Sequence, residues 1–232
     1  MHPNASGFRA AARNSLRGYW GWALLICLVA GILGGTGASN NFTFINNAAE
    51  QSPEVSDMVQ AVVSAGILQA ATYWGLIVFI VGGAIQLGLC AYHTRLNLGL
   101  KPEFGSLFER FDIFFKALGL RLFMLLFTIL WSLLFLVPGI IAAYRYSMAP
   151  YLMAEYPDMG IREAVNRSKE LMNGNKGRLF CLDFSFIGWW LLSALTLGIL
   201  GLWITPYMVT ARAAFYLELT GKPYGLPNTA QV

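Results

Sequence analysis

Hydrophobic and polar positions alternate along this chain in long blocks rather than at the spacing of a soluble helix or strand. Arg178 to Leu219 is nearly unbroken apolar sequence, about 40 residues and so roughly twice the 20 that cross a bilayer core. Gly198 and Gly201 stand in its middle, where the chain would reverse, so it reads as a hairpin of two spans. Ala117 to Glu155 is again too long for one crossing, with Val137-Pro138-Gly139 near its centre. A kinked single helix is allowed there, but it would be on the order of 58 Å long against a core of about 30 Å, so a second hairpin is expected. Ala23 to Gly35 and about 70–92 supply two more spans. The pattern predicts an all-α fold: a polytopic membrane bundle of six transmembrane helices in three hairpins, with amphipathic interfacial helices on the cytoplasmic side.

The segments between the spans divide the chain further. In residues 8–17, Phe8, Ala12 and Leu16 form one helical stripe and Arg9, Arg13 and Arg17 the next. That is the pattern of a helix on a membrane surface with its bases toward lipid phosphates; an ordinary flank carrying orientation charges fits equally well. Residues 1–18 are thus an interfacial helix, 19–219 the six-helix domain and 220–232 a cytoplasmic tail. Bases, an apolar run and small residues also describe a cleaved signal peptide, but the segment is read as retained. Lys101 to Lys116 and residues 156–177 are read as further inner amphipathic segments, the latter with Ile161, Val165, Ser168 and Met172 on one side. Residues 36–66 carry Glu50, Glu54 and Asp57 but no Lys or Arg, and form the outer loop, with a helix expected from Ser52-Pro53. The bases before the first span, between the second and third, between the fourth and fifth, and after the sixth place both termini in the cytoplasm.

Composition agrees with a multi-pass protein of the cell membrane. Of 232 residues 56% are hydrophobic and 12% charged, at a mean hydropathy of +0.55, against about a quarter charged in soluble domains. The net charge of +4 does not indicate nucleic acid, because the bases flank apolar spans instead of gathering on one polar surface. Cys27, Cys90 and Cys181 all fall in apolar spans, as small buried hydrophobes would. The expected partners are membrane lipids and another membrane protein or a second copy.

An internal repeat runs beneath the three hairpins. Arg121-Leu122-Phe123 and Arg178-Leu179-Phe180 both open a hairpin, and Tyr92 through Pro102 is similar to Tyr216 through Pro223. Short matches of this kind also arise from shared interface chemistry. If the repeat is real it is a parallel one, as in some transporters. Several stretches resemble a known bacterial family: Phe8 to Arg13 with Leu16 to Trp20, Pro138-Gly139-Ile140-Ile141, Ser168 to Met172 with Gly174-Asn175-Lys176, Asp183 to Trp189, Leu202-Trp203, Pro206-Tyr207 and Phe215-Tyr216. The family is the uncharacterised domain-of-unknown-function family 975. A more distant similarity is to the membrane domain attached to some glycerophosphodiester phosphodiesterases. The resemblance implies a membrane fold of the bacterial inner membrane and carries no catalytic residue.

Candidate chemistry is sparse. His2 and His93 are the only histidines, too few for a histidine metal site or a serine-type triad, and GILGGTG lacks the spacing of a phosphate loop. No metal, cofactor or catalytic residue is expected. The polar groups inside spans are Asp183, Arg212, Arg145 and Gln86, with Trp131, Trp189 and Trp190 beside them, and intramembrane charges are site candidates by default. Asp183 and Arg212 are expected to pair across the last hairpin, and Arg145 to lie on Trp131 as a cation–π contact. Trp189 and Trp190 are read as core filling or as the walls of an inward-facing polar cavity. Arg9, Arg13 and Arg17 are the lipid-surface candidates. Three functions fit: a non-enzymatic scaffold, accessory or lipid-binding protein; a small transporter using the polar cluster; and an intramembrane enzyme centred on Asp183.

Overall fold

The computed structural model describes residues 5–33, 67–134, 136–196 and 200–225, and every element among them is helical. The outer loop at 36–66 and the helix expected from Ser52 lie outside the described residues.

Helix α1 (Ala5–Leu16) forms on the predicted stripe, with Phe8, Ala11, Ala12, Ser15 and Leu16 buried. What covers that stripe is protein. The Phe8 ring stands edge-on to Phe215 at 5.2 Å, and the Tyr207 hydroxyl donates to the Arg9 carbonyl at 3.2 Å. Arg13 and Arg17 remain exposed and Arg9 half-buried. Gly18, at φ 80°, then takes the left-handed turn that other residues resist, and the chain bends by 103° into α2 (Trp20–Ile32).

Helix α3 (Ile67–Asn97) is the central post of the fold, and its glycines are contact points. A Cβ on Gly83 would meet the Ala117 backbone at 3.2 Å, and one on Gly88 would lie 2.7 Å from the Leu107 carbonyl carbon. Such close approach is how small residues serve helix packing in lipid. The predicted amphipathic helix over Lys101–Lys116 is replaced by two 3-10 turns, Phe104–Leu107 and Glu109–Ile113, which run directly into α4 (Phe114–Leu134). Gly105 disfavours a full helix there. The Ser106 hydroxyl holds the Glu103 carbonyl at 2.7 Å, and Glu109 is tied to Arg95 by two bonds of 2.6 and 2.9 Å.

Helix α5 (Leu136–Tyr146) folds back on α4, since a Cβ on Gly139 would lie 2.8 Å from the Ser132 Cα. The fourth span is interrupted at Ser147, whose hydroxyl bonds the Tyr144 carbonyl at 2.8 Å, before α6 (Ala149–Glu155). Helix α7 (Ile161–Leu171) is amphipathic as predicted, burying Ala164, Val165 and Ser168, with Met172 following. The fifth span is also divided, into α8 (Lys176–Phe184) and α9 (Ile187–Leu195), where Ser185 bonds back to the Leu182 carbonyl at 2.6 Å. Helix α10 (Gly201–Leu219) carries Pro206 internally.

Six continuous crossing helices are therefore not what the described residues contain. Two helices are long and apolar enough to cross, 73–97 and 104–133, and a third if the bent α1–α2 pair is one span. The physical cause is local: α2 has 13 residues, about 20 Å at 1.5 Å each, and hydroxyl-to-backbone bonds at Ser147 and Ser185 stand where spans four and five are cut into pieces.

Candidate functional site

Asp183 lies in the last turn of α8, one residue before the break, and Arg212 faces it from α10. Arg212 Nε donates to Oδ1 at 2.9 Å and Nη2 to Oδ2 at 2.8 Å, the two-pronged geometry that matches guanidinium to carboxylate. The Tyr144 hydroxyl, from α5, donates to Oδ2 at 3.0 Å. Both oxygens of the acid are thus engaged. The expected pair is formed, in a better register than the sequence suggested. Ser193 also faces Gly201, and this register sets Asp183 level with Arg212 itself, not one turn away.

The same shift removes the contact expected for Arg145. Because Ser132 packs on Gly139, the second hairpin reverses earlier than Val137-Pro138-Gly139, and its register sets Arg145 opposite Leu126 and not Trp131, about 7 Å deeper. The Arg145 carbonyl accepts the Ser168 hydroxyl at 2.8 Å, which fixes α7 against α5. Trp131 and Trp189 are 41% and 46% exposed, so neither fills the core. The Trp190 side chain is outside the described residues. Gln86 is half-buried on α3, and the contacts described do not bring it to the pair.

A column of side chains continues from the pair toward α6. Tyr151 is buried beside Cys90 and Arg212, and its ring stacks on Tyr216 at 5.3 Å. The Tyr216 hydroxyl donates to Glu155 at 2.5 Å, and Glu155 is paired with Lys222. Nearby, Arg178 holds Glu218 by bonds of 3.0 and 2.9 Å while standing over the rings of Phe8 and Phe215.

A second polar centre escaped the sequence reading. His93 is fully buried on α3. Its Nδ1 lies 2.8 Å from Thr210 Oγ1 and its Nε2 3.5 Å from Cys27 Sγ. One turn on, Asn97 donates to the His93 and Thr210 carbonyls, both at 3.0 Å, and accepts from Ser15 at 3.0 Å. This knot fastens α1, α2, α3 and α10 together. The available signal was His93 and Asn97 four apart on one face of a span; their partners were ordinary Ser, Cys and Thr.

Among the described residues no group of three or more His, Cys, Asp or Glu could hold a metal. The pair is satisfied by Tyr144 and packed under Tyr151, so its chemistry is that of a mutual lock between helices. Residues 133–223 match one family model, Protein of unknown function (DUF975). The matched stretch carries the whole Asp183, Arg212 and Tyr144 constellation. No curated protein and no solved structure matches the chain.

Proposed function

We propose that this chain is a non-enzymatic membrane protein, a scaffold or accessory subunit that associates with lipid and with a membrane partner. On this reading it crosses the bilayer six times in three hairpins, with both termini cytoplasmic, the divided helices acting as broken spans. The observation that carries the proposal is the closure of the Asp183 centre: two bonds from Arg212 and one from Tyr144 leave neither carboxylate oxygen without a donor. A carboxylate engaged in this way serves to join the helices that supply its donors. The basic inner segments add attraction for anionic lipid.

The transporter reading has its own support in the polar and aromatic column from Asp183 by way of Tyr151, Tyr216 and Glu155 to Lys222. Purified protein in vesicles loaded with a pH-sensitive dye separates the two. The scaffold reading expects proton leak equal to that of protein-free vesicles, and partners from native membranes that copurify equally with the Asp183→Asn/Arg212→Gln double variant. Proton flux above background that Asp183→Asn abolishes would replace it with the transporter reading.

A further inference from the structure

Arg178 and Arg121 open their spans with the same Arg-Leu-Phe triplet, yet among the described residues only Arg178 is paired with an acid. Arg178 stands over two aromatic rings and grips Glu218 with its fork. Arg121, on α4, stands 4.8 Å over the Phe79 ring of α3, and among the described residues its Nη1 is buried with no hydrogen-bond acceptor. The sequence shows where the acid is missing. The third hairpin ends Tyr216-Leu217-Glu218, and the second ends Tyr151-Leu152-Met153. Both guanidiniums thus stand over aromatic rings, and in sequence the second hairpin has Met153 where the third has Glu218.

A charge without a counter-ion in a membrane span is costly and calls for an anion. The surface around Arg121 indicates which kind. The residue is half-buried, so part of it reaches the face of α4, where Leu122, Leu125, Leu126, Ile129 and Leu133 are exposed. Only 11% of the α4 span is buried, against half of the α3 span. Helix partners in lipid dock on small residues, and three of the four small residues of α4 are already used: Ala117 on Gly83, Gly119 under Ile161, Ser132 on Gly139. What is left is a bulky leucine face beside one cation, which suits acyl chains and a phosphate.

We propose that Arg121 is the headgroup anchor of a phospholipid bound in the seam between α3 and α4, its phosphodiester taken by the guanidinium fork and its chains laid along the leucine face. The site is separate from the Asp183 pair and does not rest on the scaffold reading. A second Arg-Leu-Phe seat then has the lipid where the first has Glu218.

The test is native mass spectrometry of the detergent-purified protein, counting retained phospholipid, with melting measured on adding phosphatidylglycerol, phosphatidylcholine or inorganic phosphate. Wild type should keep a bound phospholipid and be stabilised by both lipids, which share the phosphodiester, and not by inorganic phosphate. Arg121→Gln should retain roughly fivefold less, the factor expected of one basic side chain at a lipid surface. Arg121→Lys, with charge but no fork, should fall between, and Asp183→Asn should retain lipid as wild type does. Equal retention by Arg121→Gln, or equal stabilisation by inorganic phosphate, overturns the proposal. So does wild type that holds no phospholipid and melts unchanged when lipid is added, a measurement that stands even if a variant fails to fold. Efficient disulfide cross-linking between copies through Leu126→Cys, in protein lacking Cys27, Cys90 and Cys181, would put a second chain on this face and overturn it as well.

Discussion

At the scale of single residues the fold depends on two polar centres that differ in how visible they are from sequence. Asp183 and Arg212 are the conspicuous charges of the last apolar stretch, and their pairing followed from hairpin geometry. Asp183→Asn or Arg212→Gln alone leaves one charge without its partner. Each should cost on the order of 2–3 kcal/mol, below the 3–5 of a fully buried pair, because the Arg212 side chain is 38% exposed. The double variant should lose less than the sum of the singles, read as melting in detergent; additive losses would mean separate partners. Tyr144→Phe should cost about 1 kcal/mol, one hydrogen bond.

The His93 knot follows the opposite pattern. Thr210→Val removes the partner of Nδ1 inside a closed core and should cost about 1–3 kcal/mol, visible as a lower melting temperature with the helix content of the native state unchanged. No loss on melting would mean that water or another side chain replaces the hydroxyl. Sequence could not disclose this centre, since Ser15, Cys27, Asn97 and Thr210 are individually unremarkable in a membrane helix and meet only through tertiary structure.

At the scale of elements, apolar stretches were legible and helix lengths and interruptions were not. Hydropathy located the apolar stretches and the reversals to within a few residues. A few residues, however, are a full helical turn, enough to move Arg145 away from Trp131 and to bring Arg212 level with Asp183. At the breaks Ser147 and Ser185 each bond a carbonyl three residues back, a feature that leaves hydropathy unchanged. The 3-10 turns after α3 are held by contact: Gly88 lies so close to the Leu107 backbone that a methyl group cannot enter. Gly88→Ala should therefore cost roughly 3 kcal/mol as an overpacked contact and loosen the Arg95–Glu109 pair, whereas Gly75→Ala, where a Cβ meets nothing within 4 Å, should be neutral or slightly stabilising. Parallel melting curves of the two variants check this, and equal losses would contradict it.

At the scale of the whole molecule, the placement of bases remains the basis for the six-crossing proposal. In protein lacking Cys27, Cys90 and Cys181, a cysteine at Ser52 should react with an impermeant reagent from outside and one at Pro227 only from inside. Labelling of both from one side would refute the topology. Replacing Arg9, Arg13 and Arg17 with Gln should weaken association with anionic vesicles and leave the melting temperature nearly unchanged, because the buried face of α1 lies on the bundle and its arginine face is largely free of it.

The seating of α1 on α10 has a further effect, on the order of assembly. Tyr207 reaches back 198 residues to the Arg9 carbonyl, and Phe8 also meets the Tyr224 ring beyond the end of α10. The seat of α1 is thus incomplete until α10, far along the chain, has been made. Until then α1 has only its contacts with α3 and α8, through Ser15 on Asn97 and Phe8 under Arg178. Closing so long a loop is slow compared with forming the local hairpins. Full docking of α1 is accordingly expected only once α10 is made, and a chain stopped before Gly201 should leave Phe8 more open to proteolysis or labelling than the longer chain does.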